Sequence, residues 1–173
     1  MNASDTAPDA RVVVGGVAHL YQGDLDLGRH AVERLAREPV AGGVVVEEFS
    51  YGAVAVAQRL EELRPDALVL VAAKERGRQP GTVERREIAA PTRAAAEAQA
   101  AIGEAVTGYI DIDLVVDVAQ AFGALPTRTV AIEVEPESTE PAEQLTPTAE
   151  AALAEALALV RDEVSRFSAV RLG

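Results

Sequence analysis

The stretch VEPESTEPAEQLTPT, Val134 to Thr148, decides the fold. It reads as the end of a strand, a polar loop and the start of a helix in one piece. Thr146 sets a hydroxyl at an N-cap, and Pro147 takes the first helical position, where a missing N–H leaves no partner unmet. Beyond it, Leu153, Ala156, Val160, Val164 and Phe167 recur at helical spacing, so Thr148 to Phe167 is predicted to be a long helix with one apolar stripe. The β-branched run before it predicts a strand over Thr127 to Glu135. The loop from Glu135 to Pro147 is rich in Pro, Glu and Thr but too short to separate domains, and is read as one ordered connection.

Working outward, Arg11 to Gly16 (RVVVGG) reads as a buried parallel strand ended by its glycines. Leu27, Ala31, Val32 and Leu35 give Asp26 to Glu38 a helical period. Val44 to Phe49 reads as a strand, Ala53 to Leu63 as a helix, and Ala67 to Ala73 as a wholly apolar strand. Three such strand–helix steps predict a parallel sheet with helices on both faces. Thr82 to Ile88 alternates with mostly polar residues and reads as an antiparallel edge strand. Pro91 to Val106 and Asp113 to Phe122 are read as helices. The expected fold class is therefore α/β: a three-layer α/β/α domain with a mostly parallel, twisted sheet of about five strands.

At 173 residues the chain is long enough for one domain with a proper core, expected over 11–173 after a disordered polar tail over 1–10. It is 49% apolar and only 3% aromatic, so Ala, Val and Leu must build that core. The net charge of −12 argues against nucleic acid and anionic membranes as partners. Without cysteine, disulfides, thiolate metal sites and a Cys nucleophile are excluded. The start has neither a basic nor an apolar signal region, and no apolar run is long enough to span a bilayer, so a cytoplasmic protein is expected.

Ligands in open parallel sheets bind beyond the carboxyl ends of the strands, which singles out the loops after the first three. The first carries His19, Asp24 and Asp26, either a hard-metal or general-base set, or a polar loop in which Asp24 or Asp26 caps the next helix. The second carries Glu47 and Glu48, which point to opposite faces and so do not act together, and Ser50, read as a helix cap. The third, Lys74 to Arg78, is a small basic patch read as a solvated loop. Asp111, Asp113 and Asp117 surround a helix start, with Asp113 a plausible N-cap. His30 sits mid-helix and reads as structural. No phosphate-binding loop and no GxSxG elbow is present. The residues alone name no catalytic set.

The order of elements and three blocks resemble the nickel-iron hydrogenase maturation endopeptidases, from about Val12 to Val164. The blocks are Gly16 through Asp24 to Gly28 with His30 to Leu35, then Phe49 to Gly52 with Asp66 to Leu70 and Pro80 to Thr82, and Pro136 to Ser138 with Leu145 to Thr148. The resemblance implies trimming of the C-terminal tail of a hydrogenase large subunit after nickel insertion, with a Glu, an Asp and a His reading the nickel held by that substrate. The family's first block has the form GxGNxxxxDEGxG. Here its Asn is His19 and its Asp is Asp24, but its Glu falls on Leu25 and the following Gly on Asp26. The second ligand falls on Ala72 (Val71 with a one-residue shift) and the third on Ile110 (Asp111 with such a shift).

Leu, Ala and Ile offer a metal no lone pair. The first expectation is thus a non-proteolytic homologue that binds a hydrogenase-related large subunit or similar protein, with no cofactor; nickel enters only if the family function is retained. A second is an active endopeptidase with ligands relocated to His19 and Asp24, supplemented by Asp26 and Asp111. A third is a small-molecule enzyme or binding domain reusing the cleft, with Glu48 a further candidate, since a fold does not fix a function.

Overall fold

The computed structural model describes residues 11–40, 42–89, 100, 102–103 and 109–169. The tail expected over 1–10 lies outside them, as does most of the helix expected over Pro91 to Val106. The elements run β1 (Val12–Val17), a 3-10 turn (Gly23–Asp26), α1 (Leu27–Arg37), β2 (Val44–Phe49), α2 (Ala53–Leu63), β3 (Ala67–Ala73), β4 (Val83–Glu87), α3 (Ile112–Ala121), β5 (Arg128–Val134) and α4 (Pro147–Ala169). They form a five-stranded sheet in the order β2-β1-β3-β5-β4. All pairings are parallel except β4 with β5, as the polar alternation of the edge strand suggested.

Strand alternation sorts the core into two layers. Leu68, Leu70 and Ala72 of β3, with Val13 and Val17 of β1, pack against α2 and α3. Ala67, Val69, Val71 and Ala73, with Val12 and Val14, pack against α1 and α4. Each fully buried Leu or Val contributes on the order of 1.5–3 kcal/mol, so small aliphatic side chains suffice without aromatic mass. Phe49 is the aromatic residue among the largest fully buried side chains.

The glycines of the first strand do not end it. Gly15 and Gly16 lie inside β1, paired with both β2 and β3. A Cβ on Gly15 would overlap the Phe49 ring, and one on Gly16 would overlap the Gly28 carbonyl and the Val32 side chain. The strand needs glycine at Gly15 to admit the Phe49 ring and at Gly16 because α1 crosses the backbone there in direct contact.

Helix ends follow local chemistry with two departures from expectation. Thr146 caps α4, its Oγ1 accepting from Ala149 N at 3.2 Å, and Pro147 is the first helical residue. For α3 the cap is Asp111 rather than Asp113: Asp111 Oδ1 accepts from Leu114 N at 2.8 Å, and Asp113 lies in the first turn. Nor does Ser50 cap α2. Gly52 takes the N-cap position with φ +106°, and Ser50 Oγ donates to Glu48 Oε2 at 2.7 Å. No helix among the described residues is long and apolar enough to cross a membrane.

Candidate functional site

From β1 the chain crosses by α1 to β2 on one side and then by α2 to β3 on the other. The carboxyl ends of β1 and β3 therefore flank the point where the strand order reverses, the usual place for a ligand crevice. A cleft of about 50 Å³ opens there. Its apolar walls are Val17, Leu25, Ala73 and Ile110, and its polar ones include His19, Lys74, Tyr109 and Asp111.

Two of the three positions at which the resemblance places ligands, Leu25 and Ile110, thus meet in one cleft. The third, Ala72, is buried toward α2 and α3, while its neighbour Ala73 lines the cleft. None of these side chains carries a donor atom, so the set does not fit a nickel ion. Among the described residues no three His, Cys, Asp or Glu side chains gather so as to hold a metal.

Lys74 takes the cationic place in the cleft. Its Nζ donates to Asp111 Oδ2 at 2.6 Å and lies 3.9 Å from Asp113 Oδ2. Partial burial alone would lower the ammonium pKa, but the Asp111 hydrogen bond and charge carry it above its ordinary value. Tyr109 donates to the same Asp111 oxygen at 3.2 Å and meets His19 edge-on, ring centroids 6.2 Å apart. Burial, followed by the Asp111 charge, raises the Tyr109 phenol.

Asp26 holds the N-cap position of α1 but its side chain makes no capping hydrogen bond, and neither Asp24 nor Asp26 lines the cleft. Asp24 is fully buried and accepts four hydrogen bonds from the loop before α4: Glu137 N (2.9 Å), Ser138 N (3.1 Å), Thr146 N (2.9 Å) and Thr146 Oγ1 (2.9 Å). Asp26, also fully buried, holds Arg29 through Oδ2, while its Oδ1 has no hydrogen-bond partner among the described residues. His30 is buried beside them, its Nε2 4.0 Å from Asp26 Oδ2. Glu48 belongs to the outer strand β2 and bonds Ser50 away from the cleft, while Glu47 pairs with Arg59.

The loop Lys74 to Arg78 is not the free solvated loop its charges suggest. Glu135 accepts the backbone N–H groups of Arg76, Gly77 and Arg78. Arg76 forks onto Asp113 at 2.8 and 2.9 Å and reaches Glu133 at 2.7 Å. Burial works against the Glu133 carboxylate, but hydrogen bonds from Arg76 and Arg86 hold it below its usual range. Asp113 shows the same balance, burial opposed and outweighed by Arg76. The signal for this network was in the sequence: Glu133 and Glu135 occupy alternate positions at the end of a buried strand, where two acids require partners.

Exposed aromatic side chains gather on the loops of the cleft-bearing face, and one of them, Tyr109, lines the cleft. The chain's three tyrosines, Tyr21, Tyr51 and Tyr109, are half exposed, at 55%, 50% and 50%, and Leu20 is exposed next to Tyr21. They sit on the loops after β1 and β2 and just before α3, all at the carboxyl face of the sheet.

Known structures share this architecture. The hydrogenase 2 maturation peptidase from a Thaumarchaeota archaeon superposes with a TM-score of 0.61 at 20% identity, over 89% of this chain and 97% of the other. The hydrogenase maturating endopeptidase HybD from E. coli gives 0.62 at 24% identity, over 87% and 89%. The NiFe hydrogenase maturation protease HycI from Thermococcus kodakarensis gives 0.63 at 18% identity, over 90% and 93%. The fold is that of the hydrogenase maturation endopeptidases. No protein-family model and no curated protein matches the sequence. The likeness to the maturation endopeptidases is one of fold.

Proposed function

We propose that this chain is a non-proteolytic relative of the hydrogenase maturation endopeptidases, acting in the cytoplasm, which binds a hydrogenase-related large subunit or a similar protein at the carboxyl face of its sheet. The observation that carries this reading is the meeting of Leu25, Ala73 and Ile110 around a cleft whose cation is Lys74. Aliphatic side chains cannot coordinate nickel, and a fixed ammonium repels it. The half-exposed tyrosines on the loops at this face support a protein partner, because tyrosine is enriched at the centres of interfaces.

Two other readings fit less well. Ligands relocated to His19 and Asp24 would require Asp24 to leave four hydrogen bonds in a fully buried place. A small-molecule site would need several times the roughly 50 Å³ of this cleft, since ligand pockets run about 300–1,000 Å³.

A tagged full chain incubated with a nickel-loaded large-subunit precursor tests the reading. It should retain the precursor intact, and calorimetric titration of the chain with nickel should give no stoichiometric heat. Stoichiometric nickel binding that His19→Ala abolishes would overturn it.

A further inference from the structure

A second concave surface lies at the opposite end of the sheet. Arg128 opens β5, and Glu87 closes the antiparallel β4 beside it with Ile88 next in the chain, about one strand length, roughly 20 Å, from the cleft. Between this edge and the last turns of α4 is a groove of about 850 Å³, within the size range of small-molecule sites. Ile88, Val130 and Phe167 give it apolar walls, and Arg85, Arg128 and Arg166 reach into it against Glu87 and Glu163.

The two glutamates are already engaged. Glu163, almost wholly buried, pairs with Arg85 and, at 3.1 Å, with Arg166, and Glu87 accepts from Arg85 at 3.2 Å. Arg166 also offsets the negative end of the α4 dipole. Arg128 differs: among the described residues no carboxylate pairs with it. Its guanidinium carbon sits over the Phe167 ring, 4.7 Å from the centroid, a cation–π contact that holds the charge at the groove while using none of its N–H donors. In a chain of charge −12, a groove with one more arginine than glutamate is a local reversal of sign.

We infer that this groove binds a small amphipathic anion, a carboxylate carried on an apolar body, with Arg128 receiving the carboxylate and the Ile88–Val130–Phe167 wall receiving the apolar part. The site is independent of the cleft and of the partner proposed for it. The protein's overall negative charge makes it a poor sink for carboxylates in general, so a saturable response must come from a local site.

Octanoate is the probe, titrated calorimetrically into the full chain, with octanol and octylammonium as controls and a polyglutamate peptide as the alternative occupant. Octanoate should saturate at one site, and octanol should bind about tenfold more weakly or worse, the value of one charge-assisted hydrogen bond. Arg128→Gln should reduce octanoate to the octanol level, and Arg128→Lys should restore part of the loss. Both variants should keep the parent's thermal midpoint, because Arg128 is exposed and makes no ion pair among the described residues. Absence of saturable octanoate binding, equal binding of octanol, or full binding by Arg128→Gln would each overturn the assignment. So would saturable binding of polyglutamate alone, which would make the groove a protein-docking surface.

Discussion

Asp24 and Thr146, 122 positions apart, are joined by two hydrogen bonds of 2.9 Å, Thr146 N donating to Oδ1 and Thr146 Oγ1 to Oδ2. The same hydroxyl accepts from Ala149 N and so caps α4. One carboxylate thereby ties the loop after β1 to the start of the last helix, and the loop over Glu135 to Pro147 is ordered because its amides converge on Asp24.

Asp24→Ala should destabilise the protein by about 3 kcal/mol or more, because it leaves buried backbone donors without partners. Thr146→Val should cost about 1–2 kcal/mol for the lost cap and hydroxyl contact. The double variant should fall short of the sum, since both act through one contact. Urea denaturation measures all three, and strict additivity would contradict the shared role.

Gly16→Ala should prevent folding or lower stability by several kcal/mol, the order expected for overpacking a strand against helix backbone. The added Cβ meets the Gly28 carbonyl, which cannot rotate away as a side chain can. Gly42→Ala, where nothing lies near the new methyl group, is the control and should fold with nearly parent stability. Circular dichroism with thermal melting distinguishes the two.

Acid should weaken the loop after β3. Glu133 and Asp113 have folded pKa values below their ordinary ones, so their contribution is present above the ordinary carboxylate range and is lost as pH falls through it toward the folded values. The urea midpoint should drop as pH is lowered below about 4.5. Glu133→Gln should lower stability at neutral pH and flatten that acid limb. An unchanged acid limb in this variant would remove Glu133 from the network.

Tyr51→Ala and Tyr109→Ala should each weaken capture of the protein partner by about tenfold, as for an aromatic anchor in an interface. Neither should alter folding greatly, since both rings are half exposed. Surface plasmon resonance against the precursor reads the effect. Unchanged affinity in both variants would place the interface elsewhere.

Much of this architecture is legible in the residues. Val44–Phe49, Ala53–Leu63 and Ala67–Ala73 have the bounds that their apolar runs and flanking Gly and Pro predict, because each is set by local pattern. Thr146 and Pro147 mark the start of α4 for the same reason. What local pattern misstates is what distant chain decides. Gly15 and Gly16 read as a strand end because what demands them, the Phe49 ring of β2 at Gly15 and the helix over Leu27–Arg37 at Gly16, touches them only in the folded state. Asp24 reads as a cap or a ligand because its partners lie 113 to 122 positions away. Asp111 and Asp113 both suit an N-cap by residue type, and the pull of Arg76 on Asp113 leaves Asp111 the cap. Lys74 and Arg76 read as solvated because the acids that hold them sit on α3 and β5.

The central claim is that the cleft formed by Leu25, Ala73 and Ile110 has lost the means to read nickel and cut a tail. The most direct test is the intact mass of a nickel-loaded hydrogenase large-subunit precursor after incubation with an equimolar amount of this chain. The account predicts that the precursor remains bound at its full mass. A shift to a lower mass by the C-terminal tail, released as a single peptide, would contradict it.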